Sequence, residues 1–404
     1  MIGYESSRKP RVLVSHQGCI PIYRKSFFER LNALGKFDYV VVHGSAPRGT
    51  NYILAAPPFN FANIAITNYE IPFLGRSIIW QPVVWRVIRG DFDAAVIGAE
   101  TKFISNLVIV LAMLLRRRPI LMWGFGFHQY IVPPRTVFAK IIAALSGYAK
   151  MPIYRMMSGF LAYTEGGKRA LQGLSHPPER IAVLRNTIDL EREVGFQKIV
   201  ETEPLDQAYQ ELGVRKNSVK LLYFGRLVEM KCLDLLVEYA KRCGSSKRDV
   251  DVIIFGEGPK EAELWSSSSG LRNVVFHKHD DLRLARALRV SAAIVIPGYV
   301  GLAIPHGFAH GVPTLTRKGQ LHSPEVEYIE DGVNGLILPE DVEGFFTALD
   351  SFVDNEPLQK QLAEGARRSA VRLGMDNMVN AFHGLVTGCL MVKTEPVPEI
   401  CTGR

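Results

Sequence analysis

The basic residues Arg226 and Lys231 lie five positions apart in the segment FGRLVEMK. The apolar run VKLLYF before them predicts a buried strand that ends at Gly225, and the segment after them predicts a helix that starts near residues 229–231. Near a helix N-terminus, a guanidinium, an ammonium and free backbone N–H groups together bind a diphosphate. Two solvated basic side chains on a loop are the alternative interpretation.

Two glycine-rich connections follow later strands. Gly256 and Gly258 follow the run VDVIIF, where glycines permit a tight turn, and Pro259 suits the first turn of a helix. The segment PGYVGLAIPHGFAHGVPTLT predicts a loop that begins at Gly298, a short helix and another strand, and such loops cradle anions or ribose. A lone GxG is common in strand–helix connections, and the sequence has no GxGxxG, so it does not indicate dinucleotide binding.

Short β-branched strands alternate with helical segments in both halves of the chain, which is typical of parallel sheets. Strands are predicted at 11–15, 38–43, 93–98, 119–123, 159–163 and 180–184, and again at 219–224, 250–255, 273–276, 292–297, 313–316 and 335–338. We therefore expect an α/β protein with two doubly wound, Rossmann-like domains that face one another across a cleft. The cleft is the default active site, because ligands of such sheets bind beyond the carboxyl ends of the strands.

The predicted domains are residues 1–188 and residues 189–374. A polar stretch at 189–218 separates the two sets of strands, and we place the linker at its start. Residues 375–404 are expected to form a C-terminal helix at about 375–390, followed by a flexible tail.

Composition excludes several protein classes. The 404 residues are 47% hydrophobic and 22% charged, which excludes disordered and fibrous proteins. The five cysteines show no CxxC or Cys/His ligand pattern, which indicates a reducing compartment and no metal site. The first residues are too charged for a secretion signal, so we expect a cytoplasmic protein. The net charge of +8 favours anionic partners.

The most apolar run, at 103–115, is too short to span a membrane and predicts a buried helix. Apolar helices predicted at 77–88 and 102–118, with Trp80, Trp85 and the arginines at 116–118, suit peripheral contact with the inner face of the plasma membrane. Core packing explains the apolar residues equally well.

Several motifs together resemble the GT-B glycosyltransferases, specifically retaining family 4, also called glycosyl transferases group 1. FGRLVEMK resembles the GRLxxxKG phosphate-binding motif, FGEGP resembles the GxGP turn, and EYIEDGVNGLILPED resembles the dGxNGxL block. The segment that begins at Gly298 resembles a branch whose donor loop has the form PGxxGLxxxHxxxxGxP. In the first half, CIPIYRKSFFERLNAL, SGFLAYTEGGKRAL and RIAVLRNTIDL are similar to N-terminal pieces of the family, so the resemblance covers about residues 10–390.

The resemblance implies transfer of a hexose, with retention, from a nucleotide diphosphate sugar to a glycan or lipid-linked acceptor in polysaccharide or glycoconjugate biosynthesis. It implies no metal and no cofactor beyond the donor substrate, and no nucleic-acid partner. Arg226 and Lys231 carry over as the cations that stabilise the leaving diphosphate. The donor-binding positions that the resemblance implies are Gly18, Gly225, Arg226, Lys231, Gly256, Gly258, Lys278, Gly298, Tyr299, Val300, Gly301, Leu302, His306 and Glu325.

The donor loop departs from the family pattern. The usual ExxxxxxxE pair, which contacts the donor sugar and ribose, maps onto Gly298 and His306, so neither glutamate is present. We hypothesise that Glu325, with Glu327, supplies a missing carboxylate. A solvated helix face is an equally good interpretation of these glutamates.

A second departure follows the strand PILMW. The family has a WGHG-like segment there, with a histidine over the site, whereas this chain has WGFG with Phe125 in place of the histidine. We hypothesise a catalytic role for His128, two residues beyond that segment, against the alternative of an ordinary loop histidine.

Other functions stay open beside an active glycosyltransferase. The missing glutamates and histidine favour a degraded GT-B protein that binds nucleotide or glycan without transfer. A GT-B sugar-nucleotide epimerase would need its own set of carboxylates and histidines, which the sequence does not show. Nucleic-acid binding rests on net charge alone.

Overall fold

The computed structural model describes residues 8–47, 52–73, 76–125, 152–174 and 176–391, which form two compact units. Unit 1 contains the described residues up to Arg185 together with those from Asp376 onward, and unit 2 contains residues 186–375. Each unit is built on a parallel sheet with helices, so the predicted α/β architecture of two Rossmann-like domains is confirmed.

Unit 1 has a seven-stranded parallel sheet in the order β3-β2-β1-β6-β7-β8-β9. Its strands are β1 (Arg11–Ser15), β2 (Asp38–His43), β3 (Asn63–Ala65), β6 (Ala94–Gly98), β7 (Ile120–Gly124), β8 (Gly159–Ala162) and β9 (Ile181–Val183). A separate antiparallel hairpin joins β4 (Tyr69–Phe73) to β5 (Arg76–Trp80). The helices are α1 (Ile22–Ala33), α2 (Val84–Arg89), α3 (Ser105–Leu115), α4 (Glu165–Gln172) and the C-terminal α13 (Met375–Met391).

Unit 2 has a six-stranded parallel sheet in the order β12-β11-β10-β13-β14-β15. Its strands are β10 (Val219–Phe224), β11 (Val250–Phe255), β12 (Val274–His277), β13 (Ala293–Ile296), β14 (Thr314–Arg317) and β15 (Gly335–Leu338). Its helices are α5 (Leu190–Glu201), α6 (Leu205–Leu212), α7 (Leu233–Ser245), α8 (Glu261–Ser267), α9 (Asp281–Val290), α10 (Ala303–Ala309), α11 (Val342–Val353) and α12 (Glu356–Ala370). The strand order reverses beside β10, which pairs with both β11 and β13.

The twelve strands predicted from the sequence all form, with ends that differ by at most one residue. They are easy to recognise because parallel strands are buried on both faces and therefore consist of nearly continuous apolar residues. The sequence prediction missed β3, β4 and β5. β3 is an edge strand with exposed residues, and β4 contains Pro72, which weakens the strand signal.

Two helix predictions were wrong in their bounds. The helix predicted at 77–88 is a strand up to Trp80, because β5 pairs with β4, and helix α2 begins only at Val84 after Pro82. The helix predicted at 102–118 is α3, which is shorter at both ends.

The polar stretch at 189–218 belongs to unit 2. It forms α5 and α6, both of which pack on α9. The domain boundaries of the structure fall after Arg185 and after Met375, close to the predicted positions after 188 and 374.

The C-terminal helix α13 packs into the aromatic core of unit 1. The ring of Phe382 lies 5.4 Å from the rings of both Phe27 and Trp123. His383 Nδ1 and the Tyr39 hydroxyl are 2.7 Å apart and share a hydrogen bond. The C-terminal helix therefore forms part of the same core as Phe27, Tyr39 and Trp123.

We expect Phe382→Ala to destabilise unit 1 by about 3–5 kcal/mol, because it leaves a cavity among Phe27, Tyr39 and Trp123. Urea unfolding monitored by near-UV circular dichroism measures this loss. Met391→Ala, at an exposed position of the same helix, is the matched control and should leave the midpoint unchanged. Equal midpoints for the two variants would show that α13 does not stabilise the core.

Candidate functional site

The loops after β10 and β13 lie side by side at the carboxyl edge of the unit 2 sheet, where the strand order reverses. This edge is where doubly wound sheets bind ligands. The first loop contains Arg226 and Lys231, and the second contains Gly298 and Tyr299. The donor residues predicted from separate motifs are thus brought to adjacent loops of one sheet.

Backbone packs directly on backbone between these loops. A Cβ on Gly298 would lie 2.1 Å from the carbonyl oxygen of Met230, and one on Gly256 would lie 1.8 Å from the carbonyl oxygen of Gly225. Gly256 also has a φ of +142°, in the region that side chains disfavour. Both positions require glycine, because any side chain would push the loops apart.

Lys231 is fixed by the neighbouring loop. Its Nζ donates a hydrogen bond to the carbonyl oxygen of Tyr299 and lies 5.3 Å from the centre of the Tyr299 ring. The Tyr299 N–H in turn donates to the carbonyl oxygen of Met230, at 2.7 Å. Burial lowers the pKa of Lys231 to about 8. Lys231 is therefore a desolvated, positioned amine, unlike Arg226, which is exposed.

The helices after these loops start later than the sequence predicts. Residues Glu229–Lys231 form a 3₁₀ turn, Cys232 adopts a φ of +51°, and α7 begins at Leu233. Pro259 precedes α8, which begins at Glu261, and is not in its first turn. Lys231 thus ends a 3₁₀ turn that begins at the predicted position, and it lies two residues before α7.

A carboxylate that the sequence analysis missed lies beside His306. Oε2 of Glu193, on α5, is 3.2 Å from His306 Nδ1 and 3.6 Å from His310 Nε2. Burial alone raises the pKa of Glu193, but the two imidazoles outweigh it and lower that pKa to about 2. Glu193 therefore stays ionised, and no local motif reveals it because α5 is distant from α10 in sequence.

Glu325 is buried, so the interpretation of this residue as part of a solvated helix face was wrong. It lies on the 3₁₀ turn Pro324–Tyr328 and accepts a hydrogen bond from Nδ2 of Asn186. The Tyr328 hydroxyl donates to the Asn186 carbonyl oxygen at 3.1 Å. Glu325 thus ties this turn to the first residue of unit 2.

The remaining predicted donor residues of unit 2 differ in exposure. Lys278 is exposed, and its Nζ lies 3.4 Å from Oε1 of Glu257. Val300 is buried, whereas Gly301 and Leu302 are half-buried at the start of α10.

In unit 1, the predicted Gly18 follows β1 with a φ of +71°. Its carbonyl oxygen accepts a hydrogen bond from Asn68 Nδ2 at 2.9 Å. The neighbouring His16 stacks on Trp123 with ring centres 4.0 Å apart, and its Nε2 lies 2.9 Å from the Tyr163 hydroxyl. Burial, and then the charge of nearby Arg24, hold the pKa of His16 well below its ordinary value.

His128 lies outside the described residues. Phe125, which replaces the family histidine, is half exposed, with its ring 5.1 Å from that of Tyr163.

The β4–β5 hairpin borders an open cavity of about 780 Å³ in unit 1, which the sequence analysis missed. Tyr69 and Trp80 are opposite each other across the hairpin. Asn68 and Glu70 also line the cavity, and Gln81 Nε2 donates to Asn68 Oδ1 at 3.0 Å. Aromatic and amide groups thus face one space, beside the loop that contains Gly18.

Among the described residues, no group of three or more His, Cys, Asp and Glu side chains is arranged to hold a metal ion. The described cysteines, Cys19, Cys232, Cys243 and Cys389, form no disulfide. Within the same part of the chain, no helix has the length and hydropathy to span a bilayer.

Solved structures share this architecture over nearly the whole chain. Anabaena Alr3699/HepE in complex with UDP is similar over 94% of this chain and 100% of that chain, with a TM-score of 0.66 and 15% identity. A glycosyltransferase from Rickettsia africae is similar over 95% of this chain and 99% of that chain, with a TM-score of 0.65 and 13% identity. The fold of this chain is GT-B. A UDP-GlcNAc 2-epimerase from Neisseria meningitidis has the same fold. The similarity covers 94% of this chain and 100% of that chain, with a TM-score of 0.59 and 12% identity.

The GT-B chain also matches a family model in its second unit. Residues 218–355 match the family described as Glycosyl transferases group 1. This segment contains the loops after β10, β11 and β13. No curated protein matches the chain.

We expect Glu193→Gln to destabilise unit 2 by at most about 3 kcal/mol above pH 4.5, since the folded state lowers the pKa of Glu193 from 4.5 to about 2. A lowered carboxyl pKa stabilises the fold above the ordinary pKa, and that stabilisation is lost as the pH falls towards 2. The difference between wild type and variant should therefore shrink over this window. Urea unfolding from pH 3 to 6 measures it.

Glu201→Gln, an exposed position on the same helix, is the control for removing a carboxylate from α5. A wild-type-minus-variant difference that does not change with pH would contradict the ionic contact with His306 and His310.

Proposed function

We propose that this GT-B chain transfers a sugar from a nucleotide diphosphate sugar to a glycan or lipid-linked acceptor, with retention of the anomeric configuration. The observation that carries the proposal is the placement of Lys231 against Tyr299, at the edge of the sheet and within the segment that matches Glycosyl transferases group 1. The reported complex of Alr3699/HepE with UDP agrees with a nucleotide donor.

The chemistry required is stabilisation of negative charge on the departing diphosphate. Positioned cations in a partly dehydrated site supply this without reorganising during the reaction. In our proposal Lys231 supplies the fixed charge, Arg226 adds a guanidinium that binds two phosphate oxygens, and no metal or further cofactor takes part.

The Glu193–His306 pair takes over the role of the missing donor-loop glutamate. In this proposal Nδ1 of His306 faces Glu193, and the other ring nitrogen binds a hydroxyl of the donor. Glu325 bonds to Asn186, so in this proposal it positions the turn and does not touch the donor.

The acceptor site in this proposal is the cavity at the β4–β5 hairpin. The rings of Tyr69 and Trp80 offer apolar surfaces on which the C–H face of a sugar packs. Asn68 borders the same cavity and is held by hydrogen bonds to Ser45 and Gln81. Asn68 also bonds to the Gly18 carbonyl oxygen, so the same residue joins this cavity to the loop after β1.

A degraded, non-transferring GT-B protein is the second candidate, because Gly298 and His306 replace both usual glutamates. The carboxylate of Glu193 beside His306 weakens the case for degradation, since an acidic group is present there after all.

Calorimetric titration with UDP, GDP, ADP and CMP tests the donor site. We expect one nucleoside diphosphate to bind, and we expect the variant Arg226→Ala/Lys231→Ala to lose at least about tenfold in affinity, because each charge-assisted contact contributes about 1.5–3 kcal/mol. Arg272→Ala/Lys241→Ala, which removes exposed cations elsewhere in unit 2, is the matched control.

No binding by the wild type would refute the donor site. Binding without turnover of the matching nucleotide sugars would favour the degraded candidate, and proton NMR of the fresh product would show whether the anomeric configuration is retained.

Diphosphate binding should take up protons near pH 8, because Lys231 has a pKa of about 8 in the free protein and a bound anion raises it. We expect an uptake of about half a proton per nucleotide at pH 8, and weaker binding as the pH rises further. Titrations in HEPES and in Tris, which differ in ionisation enthalpy, measure the uptake.

Lys231→Arg keeps the positive charge but has a pKa above this range, so it should bind nucleotide with no proton uptake. An uptake that persists in this variant would assign the titrating group elsewhere.

A further inference from the structure

Helices α2 and α3 of unit 1 pack on each other and present large apolar side chains to solvent. These side chains are 41–78% exposed: Trp85 and Ile88 on α2, and Leu107, Leu111 and Leu115 on α3. The prediction of a buried helix at 103–115 was therefore wrong for one side of α3. We call these five residues the α2–α3 face.

The three leucines form a continuous line because they are spaced four residues apart along α3. The other side of α3 already packs in the core, through Ile109 and Met113. An amphipathic helix normally places polar residues on the side away from the core. Apolar residues on both sides indicate that the outer side has a partner.

Exposed arginines lie at the C-terminal ends of α2 and α3, at one end of the α2–α3 face. Arg89 and Arg117 are exposed, and no carboxylate in the described part of the chain pairs with either. Arg116 follows the last leucine, and its Nη2 donates to the Ile88 carbonyl oxygen, which holds the C-terminal ends of α2 and α3 together. The cations therefore lie at the end of the leucine line.

We propose that the α2–α3 face docks on an anionic phospholipid surface. Leucine and tryptophan side chains enter the boundary between headgroups and acyl chains, while arginines at the rim bind lipid phosphates. The charge decides between this partner and a second copy of the chain. An anionic surface attracts the exposed charges of Arg89 and Arg117, whereas the same face of a second copy carries the same two positive charges.

This inference goes beyond the proposed function and does not depend on the donor site. Nucleotide binding involves unit 2 alone in that proposal, whereas the α2–α3 face belongs to unit 1. If the protein fails to bind vesicles, the proposed nucleotide binding still stands, and if it fails to bind nucleotide, the proposed lipid docking still stands.

Cosedimentation of the full chain with vesicles tests the proposal. We expect binding to phosphatidylcholine vesicles that contain 30% phosphatidylglycerol, in about 0.1 M salt, and little binding to pure phosphatidylcholine. Leu107→Ser/Leu111→Ser/Leu115→Ser should weaken binding at least about tenfold, since it removes apolar surface that the bilayer would cover. Arg89→Glu/Arg117→Glu should weaken vesicle binding more than about tenfold at low salt, because the loss of each arginine alone weakens binding about fivefold.

Control variants in unit 2 remove apolar surface or charge elsewhere. Ile199→Ser/Leu205→Ser replaces exposed apolar residues, and Arg272→Glu/Arg283→Glu makes the same charge change; both should bind as the wild type does. Equal loss in the controls and in the face variants would overturn the proposal, since net charge or overall apolarity would then explain binding.

Sedimentation velocity without lipid separates the remaining outcomes. A monomer that binds anionic vesicles supports the proposal. A dimer that dissociates in the triple leucine variant, with no vesicle binding by the wild type, would assign the face to a second copy and overturn it.

Discussion

Direct contact between backbone segments at the carboxyl edge of the unit 2 sheet is the constraint on which the candidate donor site depends. Gly298 packs against the Met230 carbonyl, and Gly256 packs against the Gly225 carbonyl, with no room for a side chain between them. This close approach places the Tyr299 carbonyl oxygen within reach of the Lys231 amine. The position and the burial of Lys231 follow from this packing of the loops, and burial lowers the pKa of its amine. Glycines, which have no functional group, thus help to determine where the charged amine lies.

Unit 1 is organised around buried polar side chains whose partners are mainly rings and amides. The Arg24 guanidinium lies 4.9 Å from the centre of the Trp123 ring, and no carboxylate in the described residues pairs with it. Its charge helps to keep the His16 ring neutral. Met378 of the C-terminal helix contacts the same guanidinium, at 3.6 Å, so the end of the chain encloses this cluster. The position of the loop after β1 thus depends on residues from several segments that are distant in sequence.

The contact between Glu193 and His306 brings a carboxylate to a helix whose own motif lacks one. The family pattern has glutamates at the positions of Gly298 and His306, and their absence suggests a degraded site. In the folded chain Glu193 lies 3.2 Å from His306 and is ionised. A neighbouring helix can thus bring a carboxylate to a position where the local motif has none, because interaction energy depends on distance and burial and not on sequence position.

The sequence by itself determined the two sheets and the residues after their strands. Buried parallel strands are continuous apolar runs, and the glycines and basic residues that follow Phe224 and Phe255 mark loops at a known edge. Only the tertiary structure decided which side chains meet there: the pairing of Glu193 with His306, the burial of Glu325 against Asn186, and the exposure of the leucines on α3. Local patterns record periodicity and conformational preference, whereas long-range contacts depend on how separate helices and loops pack, and apolar composition alone does not distinguish a core surface from an exposed one.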